Sequence, residues 1–234
     1  MNETLLSRIS SSMLKDGLSP TIEMTSYALI CDEYANGQTS ADKLQLAMCN
    51  YLDQSARRSR SLSEVIDRVK EPAISEIFTE CTVMMADAVL RSSAFANKQL
   101  RVSSENNIKI GGGKYIKPDV AIWNKDKLVA VIECKTSLGR ARNEWQSSFE
   151  DRVKTLQGVG INQNSIFLFV ATEQCWQGFP KDDDRTLSSW FALCPKGTWF
   201  GGGKQGEVKL SEKMNDGALE KLIDQLKNQL SSSF

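Results

Sequence analysis

Five consecutive apolar residues, Leu128-Val129-Ala130-Val131-Ile132, run directly into Glu133-Cys134-Lys135. A run this short and continuous is the pattern of a β-strand covered on both faces. Alternate strand residues share a face, so Glu133 and Lys135 point the same way and Cys134 points into the opposite layer. Ions left unpaired at a central strand end cost several kcal/mol each. The fold must therefore bring further charge to this point.

Pro118-Asp119 opens the preceding strand, and Asn124-Lys125-Asp126-Lys127 supplies the turn. A three-residue loop at 125–127 sets Asp119 directly opposite Glu133, with Cβ atoms roughly 4.5–5.5 Å apart. A two- or four-residue loop instead sets Asp119 beside Ile132 on the other face, and a bulge or a splayed strand is then needed to restore the pairing. In either register two carboxylates lie within one residue of each other. They repel unless one is protonated or a cation sits between them. Mg2+ takes one or two carboxylates and otherwise water and phosphate oxygens, and so fits that need. The competing explanation is a structural ion pair among Asp119, Glu133 and Lys135.

Around this hairpin the periodicity changes in a definite order. The first seventy residues read as helical, with polar breaks at 16–19, 36–40 and 59–63. After Pro72, the apolar residues Ile74, Ile77, Phe78, Cys81, Met84, Met85, Ala88 and Val89 recur at three and four, one face of a helix. Asn107–Ile110 and Tyr115–Trp123 read as strands joined by Gly111-Gly112-Gly113, which lacks the G-K-S/T of a phosphate loop and is a hairpin turn. Trp145, Phe149, Val153 and Leu156 mark a second helix ended by Gly158, and Ile166–Ala171 a further buried strand. Beyond it, 188–194 reads as a strand, and Leu219, Leu222, Ile223, Leu226 and Leu230 form the apolar stripe of a closing helix. That stripe has two uses, packing on its own core or pairing with a second copy.

Pro118-Asp119, thirteen intervening residues, then Glu133-Cys134-Lys135 at the end of an apolar strand resembles the PD-(D/E)XK nuclease superfamily, which includes type II restriction endonucleases and many repair and recombination nucleases. The likeness covers about Pro72 to Ala171. It implies an α/β fold with a restriction-endonuclease-like core: helix, three-stranded antiparallel meander, helix, strand. The core would span 71–175 of a single domain, with a helical extension over 1–70 and a mixed one over 176–234. The resemblance also implies roles. Asp119, Glu133 and the Cys134 carbonyl would hold Mg2+, for which Mn2+ substitutes, and Lys135 would orient the attacking water and help to deprotonate it. A Glu from the first helix often joins such sites, and Glu80 lies nearer the apolar face than Glu76. Lys114, Lys117, Arg140, Arg142 and Gln146 would line double-stranded DNA.

Composition agrees with chemistry of this kind. The chain has no His, which removes Ser-His-Asp and Cys-His catalysis and every His-based metal site. Six cysteines are spread singly, with no C-x-x-C pair, and the start lacks an apolar leader. Reduced core thiols and a cytoplasmic location are the expectation, with no membrane span. The 29 basic and 29 acidic residues balance, yet between Lys98 and Arg142 ten basic residues face four acidic ones, a local excess of six positive charges. The expected activity is Mg2+-dependent cleavage of DNA by a homodimeric restriction endonuclease. The alternatives are a repair or mobile-element nuclease, or a non-cleaving nucleic-acid-binding subunit.

Overall fold

The computed structural model describes residues 3–66, 74–137, 142–173, 190–200 and 208–233, with backbone alone at 62–64, 66 and 142–146. Helices α1 (Leu5–Lys15), α2 (Ile22–Ala35) and α3 (Ala41–Ile66) come first. Thr4 and Thr21 cap the first two, each accepting an N–H bond from three residues on. The breaks expected at 16–19 and 36–40 are present, but 59–63 does not interrupt α3. Serine costs a helix only about 0.5 kcal/mol, and tertiary contacts offset it here. Ser55 and Ala56 are buried, and Arg60 donates to the Phe200 carbonyl at 2.7 Å.

Helix α4 (Ile74–Arg91) precedes the sheet, whose strands are β1 (Leu100–Ser104), β4 (Val120–Asn124), β5 (Lys127–Lys135), β6 (Ile166–Thr172) and β7 (Trp190–Cys194), in that spatial order. The β1-β4-β5 half is antiparallel and the β5-β6-β7 half is parallel. Helix α5 (Arg142–Gln157) carries the chain from β5 to β6. The molecule is thus mixed α/β around a mixed sheet.

The meander differs from expectation in its first strand. Leu100–Ser104 pairs with β4, whereas β2 (Ile108–Gly111) and β3 (Lys114–Ile116) form a separate two-stranded ribbon. Pro118 explains this: it lacks an N–H and cannot carry a ladder through from Tyr115 to Trp123. The ribbon's apolar side, Ile108 opposite Ile116, is buried in the α5-side core, and Lys109 opposite Tyr115 faces outward.

The sheet separates two apolar clusters. On one face Val120, Ile122, Ile132 and Cys134 meet α4, with Phe78 against Phe169 at 5.0 Å between ring centres, and this cluster continues into α2, α3 and α6 (Ala218–Ser231). On the other, Val131, Leu168 and Val170 meet Phe149 and Leu156 of α5. Buried Gln45 of α3 donates to the Asn215 carbonyl and accepts from Leu219 N–H, and Asp53 accepts from Ser211, so the N-terminal helices and C-terminal segment form one layer. The apolar stripe of α6 is fully buried in that layer. It is core, which removes the final helix as a dimer surface.

The smaller pair, β8 (Thr198–Trp199) with β9 (Val208–Lys209), lies beyond β7. Cys31, Cys49, Cys81, Cys134 and Cys194 are free and buried. Among the described residues no helix is long and apolar enough to cross a membrane.

Candidate active site

The β4–β5 hairpin closes through a two-residue turn, with Asn124 opposite Lys127 and Lys125 in the left-handed region at φ 54°. Left regular, that turn would place Asp119 on the wrong face. The ladder shifts between Ile122 and Trp123: Trp123 pairs with Leu128, but Ile122 pairs with Ala130. Val129 is therefore the extra residue of a β-bulge, and its side chain is buried with the α4-side core. Past the bulge Val120 pairs with Ile132, and one further step sets Asp119 across from Glu133.

The backbone on both sides of Asp119 is fixed. Ser104 Oγ donates to the Asp119 carbonyl at 2.8 Å and Glu105 N–H to that of Pro118 at 3.1 Å. Its carboxylate Oδ2 accepts the Cys134 N–H at 2.7 Å and lies 3.9 Å from Lys135 Nζ. The other oxygen, Oδ1, has no partner among the described residues. Lys135 is half exposed at the mouth of the cluster.

Glu133 is only 2% exposed. Its Oε1 meets Nε of Arg152, on α5, at 2.6 Å, but the angle is off-axis and neither atom makes a hydrogen bond. Burial pushes the Glu133 carboxyl up to about 7; Arg152 and Lys135 oppose the rise and Asp119 adds to it. The Arg152 guanidinium also donates to the Lys117 carbonyl, tying α5 to the segment that leads into Pro118.

Asp119, Glu133, Lys135 and Arg152 thus share one strand end, two negative charges facing two positive. Arg152 was not foreseen from sequence. Its signal was a charge three residues after Phe149 and next to Val153, inside the apolar stripe of a helix facing a strand that ends in a carboxylate. Cys134 points to the opposite layer, beside the Thr82 hydroxyl of α4. Its contact with the cluster is made through the backbone N–H rather than the carbonyl expected to serve as a ligand.

Glu80 is a correction. The apolar stripe of α4 faces the sheet, which turns Glu80 toward α3, where its carboxylate lies beside Tyr51 and burial raises its pKa. Its partner lies on the α4 side of the sheet, whereas Asp119 and Glu133 face α5. Glu76 is exposed. Lys114 and Lys117 are exposed on and just after the ribbon. Arg140 and the side chains of Arg142 and Gln146 lie outside the described residues.

Among the described residues no group of three or more His, Cys, Asp or Glu side chains is placed to hold a metal. Mg2+ does not require one: two carboxylates suffice when water and substrate phosphate complete its shell. The Asp119–Glu133 pair fits that role, because Asp119 keeps one oxygen without a partner among the described residues and Glu133 brings a second, buried carboxylate to the same strand end, its Oε1 ion-paired with Arg152 rather than hydrogen bonded. No protein-family model matches the chain, and no curated protein matches it.

Proposed function

We propose that the chain is a Mg2+-dependent endonuclease acting on double-stranded DNA, with the restriction-endonuclease-like arrangement of α4, β1-β4-β5, α5 and β6 as its core. The observation that carries this reading is the pairing of Asp119 with a buried Glu133 at one strand end, with the Lys135 ammonium 3.9 Å from Asp119. Asp119, Glu133 and the Cys134 carbonyl would hold the ion. When bound, such an ion polarises a phosphodiester and lowers the pKa of a water.

The rest is done by the chain. Asp119 is held in place by Cys134 N–H and Ser104, so little ordering is left for the moment of reaction. The half-exposed Lys135 ammonium is the group placed to orient the attacking water and take part in its deprotonation. Exposed Lys109, Lys114, Tyr115 and Lys117 lie on or just after a two-stranded ribbon joined directly to Pro118-Asp119. A ribbon of this width enters a major groove, and its lysines neutralise phosphates. Cutting both strands with one site per chain is simplest in a two-fold dimer, and a restriction enzyme is the role in which we place it.

Supercoiled plasmid tests the reading. Discrete bands that require Mg2+ and vanish with EDTA and in Asp119→Asn support a restriction enzyme; a smear indicates a non-specific nuclease. An unchanged plasmid that is nonetheless retarded in a gel supports the second reading, a non-cleaving DNA-binding subunit, which the pairing of Asp119 with Lys135 and of Glu133 with Arg152 favours.

A further inference from the structure

Resting on the nuclease reading, we infer that the Arg152 guanidinium is a built-in counter-ion for Glu133, competing with the divalent cation for the same carboxylate. Three observations meet here. Arg152 Nε is 2.6 Å from Glu133 Oε1, one of the two oxygens that carboxylate can offer a metal. The contact is off-axis and neither atom is hydrogen bonded, so it is an ion pair with little directional hold. A separate bond to the Lys117 carbonyl anchors the guanidinium independently of Glu133, so it can leave the carboxylate without leaving the site.

Charge gives the consequence. With Glu133 ionised, Asp119 and Glu133 against Lys135 and Arg152 sum to zero, and a divalent ion makes the cluster doubly positive. That excess is unfavourable in a site where Glu133 is almost wholly buried, unless an anion enters with the ion or a cation moves away. The phosphodiester is such an anion. Metal and DNA therefore bind with positive coupling, each raising the affinity for the other, and the displaced Arg152, still held at Lys117, lies beside the incoming phosphate. Arg152 is a positioning residue in the free protein and a phosphate ligand in the loaded one.

Calorimetric titration with Ca2+ alone, without DNA, tests this on the folded full chain in wild type, Asp119→Asn, Arg152→Gln and Arg152→Lys. Removing the competitor should tighten Ca2+ binding roughly tenfold in Arg152→Gln, and Arg152→Lys, which keeps the charge, should return most of the way to wild type. Equal or weaker Ca2+ binding in Arg152→Gln overturns the inference and leaves the nuclease reading standing. No Ca2+ binding in wild type even when a DNA duplex is added, or equal binding in Asp119→Asn, overturns the nuclease reading itself. Should Arg152→Gln fail to fold, wild-type protein decides: the Arg152 Nε–H resonance, assigned by its loss in Arg152→Lys, must shift on Ca2+ addition, and a signal unmoved at saturation refutes the competition.

Discussion

Glu133 stores an unfavourable ionisation, and its effect on stability has a definite sign. Its carboxyl titrates near 7 in the folded protein, raised by burial from a usual value of 4.5. Between those values the folded state keeps a proton that the unfolded chain has released. Stability therefore falls as pH rises through this window, by at most about 3 kcal/mol, and levels off above it. In EDTA, Glu133→Gln should remove that decline and be more stable than wild type at pH 8 but not at pH 4, as measured by urea unfolding. Lys135→Met keeps the stem and deletes the ammonium; cleavage should fall at least about a hundredfold while DNA affinity changes little. Retained cleavage would make Lys135 a structural partner of Asp119. At this scale the meeting of Asp119, Glu133 and Lys135 could be read from the chain alone, because a carboxylate and a lysine ending an apolar strand need charged partners there. Glu80 could not, since a boundary position on an amphipathic helix does not say which neighbour it meets, and Tyr51 lies twenty-nine residues away.

Among the elements, the β-bulge at Val129 matters most. A tight two-residue turn and a functional register were incompatible, and one extra residue reconciles them. Deleting Val129 should restore a regular ladder and rotate Asp119 to the α4 face, abolishing Ca2+ binding in calorimetry. Turn length and bulge were both open from sequence because side-chain alternation constrains their combination and not each one. Strand β1 was missed for a related reason: Leu100 and Val102 are only half-buried, a faint alternation beside the stronger signal of Ile108 and Ile110. Helix α6 shows the opposite case, a strong stripe with two possible partners. Since Leu226 is fully buried, Leu226→Ala should cost about 3 kcal/mol and leave the oligomeric state unchanged by light scattering.

Over the whole molecule, charge is balanced in number and uneven in place. Lysines 109, 114 and 117 gather around the ribbon next to Asp119, while Arg58 and Arg60 of α3 are engaged elsewhere, with Glu23 and Phe200. Replacing all three ribbon lysines by Ala should weaken DNA binding and flatten its dependence on salt, with a log–log slope lowered by about 3 in gel-shift titrations at several salt concentrations. Ca2+ binding should persist. The layer that joins α3 to the C-terminal segment has a consequence for how the protein is made. Gln45 bonds to a backbone N–H 174 residues downstream and Asp53 to one 158 residues downstream. Emerging from the ribosome, α3 must wait for the backbone partners of Gln45 and Asp53 until Ser211 and Leu219 are synthesised, long after Asp119, Glu133 and Arg152 have appeared. The strand-end cluster is thus made early, and the layer on the far side of the sheet is completed late, so folding of this chain depends on contacts of long sequence separation.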